Sequence, residues 1–162
     1  MVHLFMGLIK ESTMSSEQSI VRFSKHQMIL REGQSSSFLY LVKTGQVHLY
    51  NVENKNIVLQ EVLGPGDVVN EISVIMKKSM HAFVIAANET ELVKIEANEI
   101  RSAMKESPDW VENIFKTLCL RLDNTNKLIE EHRLLNQIDR TNIKMDRETE
   151  LVYLKLATAQ VS

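Results

Sequence analysis

Between Ile20 and about Ile95 short apolar runs alternate with turn residues: "IVRF", "MILREG", "FLYLVKTG", "QVHLYNV", "IVLQEVLGPGD", "HAFVIA" and "ELVKI". Runs of this length at near-regular spacing, broken at Gly33, Gly45, Gly64 and Gly66, predict an antiparallel sandwich or barrel. In "QVHLYNV" the residues Val47 and Leu49 alternate with His48 and Tyr50. That is the period of a half-buried strand and places His48 on a solvated outer face. "NVENKN" reads as a hairpin tip. Ahead of this body, the polar "STMSSEQS" follows an apolar start, "MVHLFMGLIKES", which reads as a short amphipathic segment packing on the domain.

After Ile95 the period turns helical. "EANEIRSAMKE" predicts a short helix, and "SPDW" a restart with Ser107 as cap, Pro108 at the first helical position and Asp109 favouring the N-terminus. Neither Gly nor Pro follows Pro108, so the pattern predicts one helix to about residue 156, roughly 70 Å long at 1.5 Å per residue. Its seam runs through Leu118, Leu122, Thr125, Ile129 and His132. After one irregular step it continues through Leu135, Ile138, Asn142, Met145, Thr149, Val152 and Leu156. This alternation of threes and fours predicts a parallel two-stranded coiled coil, and hence a homodimer. Glu112–Lys116 and Asp123–Lys127 have the favourable orientation for pairs four apart. The expected domains are an N-terminal segment over 1–19, a β body with a short flanking helix over 20–107, and a dimerisation helix over 108–162.

A chain of 162 residues suits one compact domain plus such an appendage. The formal net charge of −2 offers no global attraction to nucleic acid or an anionic membrane. The single cysteine, Cys119, excludes an intrachain disulfide and points to a reducing, cytoplasmic compartment. Its apolar helical setting reads as that of a packed thiol. The N-terminal apolar run is too short to cross a bilayer and lacks the basic region of a signal peptide. The five histidines are scattered, without partners at metal-ligand spacing, and Ser35, Ser36 and Ser37 read as a polar turn. With no nucleophile elbow, Walker loop or dinucleotide fingerprint, neither a metal nor an enzyme activity is expected.

The order of these segments resembles the cyclic-nucleotide-binding domain of the catabolite activator protein and of protein kinase A regulatory subunits. The residues that carry the likeness are Arg31-Glu32-Gly33, Thr44-Gly45 and Gly64-Pro65-Gly66-Asp67. Over about residues 20 to 130 the resemblance implies a double-stranded β-helix, or jelly-roll, barrel flanked by helices. It also implies a phosphate-binding cassette in "NEISVIMKKSMHAFVIA". There a glycine precedes a glutamate that takes the ribose 2′-hydroxyl. Helix N-terminal N–H groups and an arginine then neutralise the cyclic phosphate. Asn70 stands at the glycine and Glu71 at the glutamate, with Ile72 and Ser73 opening the short helix. Met80 stands at the arginine, or His81 if the loop is counted one residue differently, and Ala82 follows. Asn tolerates positive φ. Neither Met80 nor His81 supplies a guanidinium, though Lys77, Lys78 and His81 could compensate if the loop turned them inward. Phe83 falls where the family tolerates bulk, and Thr125 and Asn126 fall where it caps the base.

The expectation is a non-enzymatic regulatory protein, a dimeric interaction module for an unidentified protein partner, with weak or lost cyclic nucleotide binding. No direct DNA contact and no transmembrane segment are expected. The alternative is a genuine sensor of cyclic AMP, cyclic GMP or a cyclic dinucleotide.

Overall fold

Every one of the apolar runs forms a strand. The computed structural model describes residues 19–35, 37–53, 56–136 and 147–158. The strands are β1 (Ser19–Phe23), β2 (Met28–Leu30), β3 (Phe38–Thr44), β4 (Val47–Glu53), β5 (Asn56–Leu63), β6 (Val68–Val69), β7 (Phe83–Ala86) and β8 (Thr90–Glu96). They form two four-stranded antiparallel sheets, β1-β8-β3-β6 and β2-β7-β4-β5. Among the described residues no ladder joins the two, so the strands form the sandwich that was one of the two expected arrangements, without barrel closure. Two short edge strands, β6 with 2 residues and β2 with 3, end the ladders.

The core lies between the sheets. Val42, Val47, Leu49, Val69, Val84 and Leu92 meet there, each almost wholly buried. Two turns hold the strands in register. Gly64-Pro65-Gly66-Asp67 closes with the Asp67 N–H donating to the Gly64 carbonyl at 3.0 Å and the Asp67 carboxylate accepting from the Gly64 N–H at 2.8 Å. Pro65 then Gly66 at φ +95° is the sequence such a turn requires. At the β3–β4 turn, Gly45 has φ +86°, and a Cβ there would lie 2.5 Å from the Glu89 carbonyl oxygen. Only glycine fits.

Among the described residues four helices flank the sandwich: α1 (Glu71–Met76), α2 (Ala97–Glu106), α3 (Asp109–Asn136) and α4 (Arg147–Thr158). Val74 of α1 and Ala97 and Ile100 of α2 cover Leu39, Val68 and Ile95 on the outer face of the first sheet. Ser107 turns back to close α2, its hydroxyl donating to the Ala103 carbonyl at 2.8 Å. Both foreseen ion pairs on α3 form, Lys116–Glu112 at 2.6 Å and Lys127–Asp123 at 3.1 Å.

Of the expected long helix, α3 is described as far as Asn136, residues 137–146 lie outside the described residues, and α4 packs against the outer face of the second sheet. Tyr153 of α4 is 3% exposed among Tyr50, Phe83 and Ile85, with Leu156 and Ala157 beside it. Its hydroxyl shares a hydrogen bond with His26 Nδ1 at 2.6 Å, and Arg31 donates to the Leu156 carbonyl at 3.0 Å. The face of β4 expected to meet water is therefore covered at Tyr50. His48 is half-buried and bonded to the Tyr50 hydroxyl at 2.9 Å, and burial lowers its pKa. Of the predicted seam, Leu118, Leu122, Thr125, Ile129 and His132 lie exposed on α3, which also carries Leu135. Leu156 is taken into the sandwich contact, while Ile138, Asn142 and Met145 fall outside the described residues, as does the segment before residue 19.

Candidate functional site

The Gly64–Asp67 turn delivers the short strand β6 to Asn70, where the chain enters α1. Asn70 adopts the left-handed conformation, φ +75° and ψ +20°, in the place where the resemblance calls for glycine. Its side chain explains the tolerance, since Nδ2 donates to the Phe38 carbonyl at 2.8 Å. At the other end of α1, Lys77 is also left-handed at φ +54° and its N–H caps the Ser73 carbonyl. The loop then returns through Met80, whose N–H and carbonyl bond to the Gln34 carbonyl and the Gly33 N–H at 3.0 and 2.7 Å.

Between α1, the returning loop, β4–β6 and α3 lies a cavity of about 150 Å³. Asn70, Glu71, Ile72, Ser73, Met80 and His81 all line it, and α3 contributes Leu122 and Asn126. Two members of the predicted set stand apart. Ala82 is wholly buried in the core, and Thr125 is exposed, its hydroxyl donating to the Arg121 carbonyl at 2.9 Å. Glu61 is a lining residue that the sequence did not single out. It follows a β-bulge, where Leu49 pairs with Glu61 and Tyr50 with Leu59, leaving Gln60 as the extra residue. Bulges re-aim side chains and carry no composition signal.

Met80 occupies the position of interest. It is 3% exposed, packs into the core, and accepts a long contact of 3.7 Å from the Ser73 hydroxyl to its sulfur. Lys78 serves as a brace, reaching Asp123 of α3 at 2.6 Å. That ammonium is the main reason the Asp123 carboxyl sits below its ordinary range. Lys77 and Lys78 do not line the cavity, and His81 at its edge is exposed. The charges lining the cavity are therefore two carboxylates, Glu61 and Glu71, with no guanidinium or ammonium among the described residues.

Burial raises the Glu71 pKa, and Glu61 pushes it further up. A hydrogen bond from its own backbone N–H and the nearby His81 pull the other way. The Cys119 thiol, buried on α3, is likewise raised, first by burial and then by the charge of Glu71. It is a packed thiol, as the sequence implied.

A carboxyl whose pKa is higher folded than unfolded holds protons that the unfolded chain releases, so its ionised form opposes folding. That opposition is full above the folded pKa and fades as pH falls below it. Glu71→Gln is accordingly expected to be more stable than the wild type near pH 7 and to lose that advantage toward about pH 4. Urea denaturation at the two pH values checks it. An equal advantage at both would contradict it.

Residues 20–107 match the cyclic nucleotide-binding domain family. The chain is 27% identical over 103 residues to a lysophospholipase, nte1, of Neurospora crassa, covering 63% of this chain and 7% of that enzyme's length. Among solved structures it resembles the EAL enzyme Bd1971 in its cAMP- and cyclic-di-GMP-bound form, with a TM-score of 0.63, 23% identity, and coverage of 74% of this chain and 33% of that one. It also resembles the catabolite activator protein of Thermus thermophilus, with a TM-score of 0.55, 20% identity, and coverage of 74% and 54%. These structural likenesses speak to the fold. Among the described residues no helix is long and apolar enough to cross a membrane.

Proposed function

The chain belongs to the cyclic nucleotide-binding domain family, and we propose that it is a non-enzymatic regulatory module that has lost most of its hold on a cyclic phosphate. One observation carries this. The cavity presents Glu61 and Glu71 to any entering anion, and Met80, at the position where the resemblance calls for an arginine, is a buried thioether. Leaving a buried charge unpaired costs about 2–5 kcal/mol. That is roughly 30- to 4,000-fold in affinity. The size of the cavity agrees, since about 150 Å³ is roughly half the low end of small-molecule pockets.

Isothermal titration with cyclic AMP, cyclic GMP and cyclic di-GMP tests the proposal. Dissociation constants above roughly 30 μM are expected, the lower bound of that loss for a micromolar binder. Micromolar binding that disappears in Glu71→Ala would instead establish a working sensor. That second reading is favoured by one feature, the convergence of Glu71 and Asn126 on a single cavity. The likeness to 7% of a lysophospholipase supports a role as the regulatory part of a larger activity, attached or separate.

Helix α3 supports the proposed dimer. Its inner face, with Cys119, Asp123 and Asn126, meets the sandwich and Leu122 borders the cavity, while Trp110, Ile114, Leu118 and Ile129 form an exposed apolar stripe turned away from it. Static light scattering at micromolar concentration is expected to give a dimer that Leu118→Glu with Ile129→Glu converts to a monomer. A wild-type monomer would remove the dimer from the account.

A further inference from the structure

A second cavity, of about 100 Å³, lies on the far side of α1, where α1, α2 and α3 converge. Its floor is apolar, formed by Val74, Ile100 and Met104. Its rim is basic: Lys77 at the end of α1, Arg101 and Lys105 on α2, and Lys116 on α3. The only carboxylate lining it is Glu112, paired with Lys116 at 2.6 Å, so among the described residues the local charge is +3 in a chain whose net charge is −2. Lys116 is the main cause of the depressed Glu112 pKa, with Lys105 and Lys77 adding to it. Arg101 is steered by Asn98, to whose side-chain oxygen it donates at 2.7 Å.

Size and charge together select the occupant. A cavity of about 150 Å³ holds a benzene-sized group. A space of about 100 Å³ thus suits one aliphatic side chain better than a nucleotide. An apolar socket for one side chain, ringed by cations, matches a peptide with an aliphatic anchor between carboxylates. We propose that this groove is a docking site for an acidic amphipathic segment of a partner protein. It lies away from the α3 stripe, so docking and dimerisation leave each other free. The proposal is independent of whether a nucleotide binds. The groove shares α1 with the first cavity, and the Lys78–Asp123 brace ties that helix's trailing loop to α3.

Fluorescence anisotropy with a labelled short peptide, one leucine flanked by glutamates three and four positions away, tests this on the full chain. Binding is expected to weaken with added salt and to fall by roughly tenfold or more in Arg101→Glu with Lys105→Glu. Lys25→Glu, in the exposed turn between β1 and β2 and not among the groove's lining residues, should leave binding unchanged, and circular dichroism confirms folding of each variant. A version of the peptide with serine for leucine should bind more weakly, and one with lysines for glutamates should not bind. Affinity unchanged in the double reversal overturns the proposal, as does equal loss in Lys25→Glu. So does binding of phosphatidylserine vesicles without binding of the peptide, which would assign the groove to a membrane surface.

Discussion

Met80→Arg is expected to bind cyclic AMP at least about 30-fold more tightly than the wild type, the low end of what pairing a buried phosphate contributes. The argument is geometric. Met80 is fixed through its backbone to Gly33 and Gln34 and lines the same cavity as Glu71, so a longer cationic side chain there reaches that space. Two effects oppose the gain. Glu61 and Glu71 compete for the new guanidinium, and the buried site makes an unpaired charge costly, so the unliganded variant should unfold more easily than the wild type. Added cyclic AMP should then restore stability by mass action. Calorimetry and thermal unfolding with and without ligand measure both. A gain in His81→Arg but not in Met80→Arg would move the register by one residue. A gain in neither would mean that a missing cation is not what limits binding.

Tyr153→Ala is expected to lower stability by about 3–5 kcal/mol, the range for emptying a buried aromatic site. Tyr153 is the anchor of α4. It lies 5.3 Å from the Tyr50 ring and fills the space over Phe83 and Ile85, which would otherwise face water. Tyr153→Phe keeps the ring and removes the hydroxyl with its hydrogen bond to His26, a bond worth about 1 kcal/mol. Urea denaturation of the two variants separates packing from hydrogen bonding. Loss of amide protection confined to α4 in Tyr153→Ala would show that the helix opens as a unit. Wild-type stability in Tyr153→Ala would mean that α4 contributes nothing to the fold.

What the sequence disclosed and what it concealed have physical causes. Alternation in "QVHLYNV" and punctuation by glycine located the strands, because period and turn chemistry are local properties. The turn and the helix entry that lead into the cavity were legible because Gly64–Asp67 forces one turn and Asn70 tolerates one unusual φ. The covering of the second sheet was not read, although a signal existed. "FVIA" is buried on both faces, and a strand apolar throughout needs a layer on each side. The segment "LVYLKLATA" supplies that layer through Tyr153 and Leu156. A three-four repeat marks an apolar helix face but is silent on what the face meets, so Leu156 fitted a seam equally well. Glu61 was hidden for another reason. Its approach to Glu71 depends on the bulge at Gln60, a register irregularity set by tertiary pairing.

The claim that the cavity no longer recognises a phosphate is tested most directly by titrating the wild-type protein with cyclic AMP and with adenosine side by side. The two share the base and differ at the cyclic phosphate. With two carboxylates and a thioether lining the cavity, and no guanidinium or ammonium lining it among the described residues, cyclic AMP should bind no more tightly than adenosine. Cyclic AMP binding tenfold or more tighter than adenosine, a difference of about 1.4 kcal/mol, would show that the site still holds the phosphate and would contradict the account.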